Sequence, residues 1–198
     1  PAPQGSRGAP SATSLQPVTA GSGAMSITSL PPVAAEATPS APSLLDLPPD
    51  LTTRQERDAL MAILQQPTVV GADLVRTAME VELTTPSLAV VKDALLVSLD
   101  HLDDPRWLDV VLEQTPEWYA PLVKELAVAP LPEREGREIT TYCQGIVKSL
   151  VERHALRRKA ELTGRIMRTD PTLEPERHRE LQRALVEAEA LRRSVRAE

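Results

Sequence analysis

GREITTYCQGIVKSLVERHALRRKAELTGRIMR, residues 136–168, runs 33 residues without a proline. Apolar residues recur at helical spacing in its first half: Ile139, Tyr142, Ile146 and Leu150, backed by Cys143, Val147 and Val151. Side chains three and four residues apart share a helix face, so this spacing predicts one helix over about 136–168. At ~1.5 Å per residue it extends on the order of 50 Å. The first half closes a bundle. The stripe then fails at ERHALRRKAE (residues 152–161) and resumes thinly at Leu162 and Ile166. The helix is therefore expected to leave the bundle while still helical, with a hinge across 152–161. TDPTLEP (residues 169–175) supplies a turn. A last helix over about 175–196 answers with Leu181, Leu185, Ala188 and Val195 on one line. Two antiparallel helices with so few apolar contacts make a thin hairpin, which implies burial against something else.

Upstream of this hairpin the language is also helical. Thr53 and Glu56 have capping-box spacing before Leu60, Met61, Ile63 and Leu64. A short helix is expected over 67–78, burying Val70, Leu74 and Val75. Thr85-Pro86, Asp104-Pro105 and Thr115-Pro116 each join a capping side chain to a proline that has no amide to lose. They place helices near 86–99, 105–114 and 116–127. The stripes are Leu88, Val91 and Leu95; Leu108, Val111 and Leu112; and Tyr119, Leu122, Val123 and Leu126.

Residues 1–49 differ. Of these 49, 35 are Pro, Ala, Ser, Thr or Gly, and ten of the 19 prolines lie here. Without a periodic apolar face such a stretch cannot offset its ordering entropy, so it reads as a disordered, proline-stiffened linker. SITSL (26–30) and SLLDL (43–47) have the look of short docking motifs, but an uninterrupted spacer is the preferred reading. The expected organisation is a linker over 1–49, a helical bundle over 50–151 and a helical hairpin over 152–198. The opening PAPQGSRGAP, with no initiator Met, reads as the start of a piece of a longer protein.

Composition excludes several classes. Trp107, Trp118, Tyr119 and Tyr142 are the only aromatics, against a β-sandwich or barrel. The lone cysteine, Cys143, rules out an internal disulfide framework and fits a reducing, cytoplasmic compartment. No apolar run nears the roughly 20 residues of a membrane span. Residues 50–135 carry 7 basic and 16 acidic groups, net −9, whereas 136–198 carry 14 and 10, net +4. That balance suits a protein partner better than duplex DNA, so little direct DNA binding is expected.

Reactive constellations are missing. His101, His154 and His178 fall on separate elements without companions at metal-ligand spacing. No glycine-rich phosphate loop appears. Asp103 and Asp104 read as capping residues, Cys143 as inert core, and Trp118-Tyr119 as bundle packing. The fragment is expected to be non-catalytic, with no cofactor or metal of its own.

RQERDALMAILQQPTVVG (54–71), TTPSLAVVKDAL (84–95), RWLDVVLEQT (106–115) and the tail ALRRKAELTGRIMRTDP…HRELQRALVEAEALRRSV follow one another in this order. Over about three-quarters of the chain this series resembles the carboxy-terminal helicase-binding domain of bacterial DNA primase (DnaG), actinobacterial type. The resemblance implies a bundle followed by a protruding hairpin that docks on the replicative helicase DnaB. It implies helicase-contact roles for Leu181, Leu185, Val186, Leu191, Arg192 and Arg193. It also implies that zinc and magnesium belong to the parent primase, outside this fragment. In some relatives the bundle receives the acidic tail of single-stranded-DNA-binding protein, and Arg57 stands about where that contact would fall. Three alternatives stay open. They are the amino-terminal bundle of the helicase itself, a DNA-binding regulator reading through the Arg-rich 153–168 segment, and a structural coiled coil.

Overall fold

Asp50 opens the first α-helix of the chain. Its carboxylate accepts from the backbone N–H of Thr52 and Thr53 at 2.8 and 3.0 Å and from the Thr53 hydroxyl at 2.6 Å. This caps α1 (Leu51–Gln65). The computed structural model describes residues 40–131 and 139–197, and in that range the chain is all-α, with eight helices and no strand. After α1 come α2 (Pro67–Val70), α3 (Ala72–Met79), α4 (Pro86–Val97), α5 (Trp107–Gln114), α6 (Ala120–Val128), α7 (Ile139–Arg168) and α8 (Pro175–Ala197). The linker residues 1–39 and the 132–138 part of the break before α7 lie outside the described residues.

With Asp50 as cap, the expected Thr53–Glu56 box does not form, and Glu56 does something else. It is 2% exposed, and its carboxylate accepts from Thr84 N–H and Oγ1, both at 2.7 Å, and from Thr85 N–H at 3.0 Å. Those amides belong to the residues just before α4, so Glu56, 28 positions upstream of Thr84, anchors the entry to that helix, while the Thr85 side chain makes no capping bond to the first turn. Thr85 meets Thr53, hydroxyl to hydroxyl, at 3.1 Å. Thr115 likewise turns back to the Val111 carbonyl, at 2.7 Å. Asp104 does accept from the Arg106 N–H at 2.7 Å, but α5 starts later than expected, at Trp107. The expected 116–127 helix opens with a 3-10 turn, Glu117–Tyr119, before α6. The single helix expected over 67–78 is broken at Gly71, where φ is +91°, a conformation that L side chains avoid.

α1 is the axis of the core. Six consecutive residues, Ala59 through Leu64, are buried, because α7, α6, α4 and α2 all pack around it. α7 lies against α1, α2 and α3, burying Cys143, Val147, Leu150 and Val151. Ile139 is exposed, and Tyr142 and Ile146 are only half-buried. Of the expected leading stripe only Leu150 is buried in the core; the backing residues Cys143, Val147 and Val151, about 100° around the helix, form the rest of it.

Two corrections concern the ends of the domain. The spacer over 1–49 is interrupted at its last part. Leu44–Asp46 form a capped 3-10 turn, Leu44 and Leu47 pack on the main core, and Glu125 of α6 accepts from Ser43 Oγ at 3.0 Å and from Leu44 N–H at 2.7 Å. At the other end, the 152–161 segment does not simply leave the bundle. Ala155 is buried, Arg153 donates to Thr52 Oγ1 at 3.3 Å, and Arg157 donates to the Glu82 carbonyl at 2.5 Å. The apolar stripe thins there because polar straps replace it.

Candidate functional site

α7 and α8 form the hairpin, and its seam has two parts. Far from the bundle, Leu162, Leu181 and Ala188 are buried together, with Ile166, Ala184 and Leu185 packed around them. Near the bundle, Val195 joins the main core and Leu191 packs against it. The seam is therefore self-sufficient at both ends. Thr169 Oγ1 bonds back to the Arg165 carbonyl at 3.0 Å, and Asp170 Oδ1 accepts from Thr172 N–H at 2.8 Å, which closes the connecting turn and leaves Leu173 79% exposed.

Charges fix one edge of this seam. Lys159 of α7 is hydrogen-bonded to the Glu189 carboxylate of α8, and that bond holds the Glu189 carboxyl below its usual range. Closer to the bundle, Glu152 pairs with Arg192 at 3.7 Å and Arg196 at 2.5 Å, while Arg192 also meets Glu189 at 3.6 Å. Residues three and four away from a given position share its face. Leu156 and Thr163 flank Lys159, and Val186 and Arg193 flank Glu189, so all four line the same edge. Met167 continues the α7 row. Leu156 is 44% exposed, Val186 64% and Met167 82%. An apolar row bordered by charge thus lies exposed on a hairpin whose own seam is already filled.

The row runs into a groove between α1 and α7. Leu156 also lines this groove, with Leu51, Arg54, Ile146, Ser149 and Arg153 among the other walls, around a volume of about 570 Å³. Gln55 spans it to Ser149 Oγ at 2.6 Å. Beneath it His154 is partly buried against Arg157. Burial first, and the Arg157 charge second, push its pKa below the ordinary value. No helix among the described residues is long and apolar enough to cross a membrane.

The family described as DNA primase DnaG DnaB-binding matches residues 56–184. The chain belongs to the DnaB-binding family of DNA primase DnaG. Among curated proteins, it is 30% identical over 152 residues to a DNA primase of Mycobacterium leprae (strain TN), and 31% identical over 153 residues to one of Mycobacterium tuberculosis (strain ATCC 25618 / H37Rv). Each match takes in 75% of this chain but only 23% and 24% of those primases, so the chain spans about a quarter of their length. A solved structure, the helicase binding domain of primase from Mycobacterium tuberculosis, is similar at 28% identity with a TM-score of 0.55, covering 72% of this chain and 89% of that one.

In this DnaB-binding family member the six expected contact residues divide. Val186 and Arg193 are exposed on the edge just described. Leu181 is buried in the distal seam, Leu185 packs on the same cluster, Leu191 packs on the main core, and Arg192 is engaged with Glu152 and Glu189. These four hold the hairpin together. The family match ends at residue 184, so Leu181 alone of the six lies within it. Arg57 is ion-paired with its neighbour Asp58 at 2.7 Å and lines a small groove with Leu44, Leu47, Pro48 and Pro49. Leu156 and Met167 were missed by the sequence reading. Their signal was available: two large apolar side chains off the stripe, in surroundings that are otherwise charged.

Proposed function

We propose that this domain docks a DNA primase on the replicative helicase DnaB, through the hairpin edge of Leu156, Met167, Val186 and Arg193. Membership of the family supports the partner. The observation that carries the surface is the exposed apolar row beside a seam that needs no further cover. Leu173 at the turn extends the row outward. Docking of this kind places primer synthesis at the replication fork, and it needs no metal, cofactor or catalytic group in the domain itself. The chemistry belongs to the remainder of the primase, working in the cytoplasm.

The contact with single-stranded-DNA-binding protein is a lesser part of this proposal. Arg57 borders a groove and carries the positive charge that an acidic tail requires, but Asp58 already neutralises it.

The experiment is titration of purified 1–198 into the replicative helicase of the same organism, followed by calorimetry or light scattering. Binding with a defined stoichiometry supports the proposal. A domain that ignores the helicase but binds duplex DNA with steep salt dependence would overturn it.

A further inference from the structure

The groove between α1 and α7 is opposite in sign to the bundle that holds it. Residues 50–135 sum to −9, yet the acids in this groove are already answered. Glu152 meets Arg192 at 3.7 Å and Arg196 at 2.5 Å, and Asp58 meets Arg57 at 2.7 Å. The arginines of the groove are not. Among the described residues, Arg54 is exposed without an ion pair, and Arg153 meets a neutral partner, the Thr52 hydroxyl, at 3.3 Å. Both guanidinium groups stand beside apolar walls, Leu51, Ile146 and Leu156. Leu51 is 70% exposed at the first position of α1. Helix stability does not account for this choice. The dipole favours an acid in a first turn, but that of α1 has none and carries Leu51 and Arg54 instead.

We propose that this groove is the second half of the docking face, and that it seats an acidic segment of the helicase carrying an apolar side chain. This rests on the docking reading above and adds the bundle to it. Leu156 belongs both to the hairpin row and to the groove wall, so a partner that covers the row reaches the groove without a break. The volume of about 570 Å³ is that of a small-ligand pocket, so it takes a few side chains rather than a folded element. Charge then selects which. A carboxylate entering here meets two unneutralised arginines, and hydrogen bonds between ionised partners are about twice as strong as neutral ones. A basic segment meets repulsion from the same pair. A nucleic-acid backbone would answer the arginines but leave Leu51 and Leu156 uncovered.

The test uses the full 1–198 chain and the replicative helicase of the same organism, titrated at low and at physiological salt. Leu51→Asp and Arg54→Glu both place an acid in the first turn of α1, where the dipole favours it, so circular dichroism and thermal midpoint should hold. Each should nevertheless weaken helicase binding by about tenfold or more, with the Arg54→Glu loss greater at low salt. Arg54→Lys should keep most of the affinity. Arg76→Glu, the same charge change on α3, should bind as the native chain does. If Val186→Asp on the hairpin weakens binding while Leu51→Asp and Arg54→Glu do not, the hairpin docks and the groove proposal fails. If none of the three weakens it, the docking reading itself fails. A loss in only one of Leu51→Asp and Arg54→Glu would leave the segment either uncharged or outside the groove, and overturns the proposal. An equal loss in Arg76→Glu would assign the effect to net charge and does the same. So would binding of a single-stranded oligonucleotide that Arg54→Glu removes while helicase affinity stays native.

Discussion

Leu162→Ala is expected to open the outer half of the hairpin while leaving the bundle intact. Leu162 is 1% exposed and belongs to a cluster whose other buried members are only Leu181 and Ala188. Deleting a buried leucine to alanine costs about 2–5 kcal/mol. Leu162 and Leu181 each contribute on the order of 1.5–3 kcal/mol by burial, and the ordering entropy of two helical segments opposes them. The loss is thus as large as the surplus holding this part closed. Nearer the bundle, Ala155, Leu191 and Val195 still pack, and Glu152 still holds Arg192 and Arg196. Hydrogen exchange read by mass spectrometry should show peptides from about 160–186 exchanging freely, with those from α1 and α4 unchanged. The thermal midpoint of the bundle should move little. Uniformly faster exchange throughout, with one lowered midpoint, would refute the reasoning and make bundle and hairpin a single cooperative unit.

Other expectations follow from individual residues. Glu56→Gln keeps the shape but turns an acceptor into a donor facing the Thr84 and Thr85 amides, so it should cost roughly 2–4 kcal/mol, seen in urea unfolding. A cost below about 0.5 kcal/mol would show that those amides find other partners. His154 has its folded pKa lowered, so the unfolded chain binds its proton more readily and stability should fall as pH drops below about 6.5. His154→Gln should flatten that slope, and an unchanged pH profile would assign it to other groups. Arg192→Ala should loosen the hairpin because it removes the cation that bridges Glu152 of α7 and Glu189 of α8, leaving them only Arg196 and Lys159, whereas Arg193→Ala should leave exchange in α8 native. Equal exchange in the two variants would contradict this division.

Much of the fold was legible in the sequence because it rests on local rules. Proline at the first turn located α4, and the unbroken run after residue 138 located α7 and the hairpin. What escaped were contacts between residues far apart in sequence. Glu56 has the spacing of a local cap, yet three donors from residues 84 and 85 claim its carboxylate. Gly71 broke a helix that propensity alone would have continued, through a positive φ that no periodicity reports. SLLDL sits in a segment too poor in apolar residues to fold by itself, and it orders only because Glu125 and the core are there to receive it. The proposed docking surface was half legible. A wheel drawn on α8 separates Val186 and Arg193 from Leu181 and Leu185, but it cannot show that Leu191 and Arg192 face the bundle and Glu152. Nor can it show that Leu156 and Met167 border the same edge from α7.

Val186→Asp tests the central claim most directly, read as affinity for the replicative helicase beside the circular dichroism of the same sample. Val186 is 64% exposed and has no part in the hairpin seam, so helicity should be preserved. If a partner covers its side chain, losing that burial and placing a carboxylate there should cost about 1.4 kcal/mol or more, a drop in affinity of about tenfold or greater. Native helicity with weakened helicase binding is the predicted result. Native helicity with unchanged binding would show that the helicase docks elsewhere on the domain.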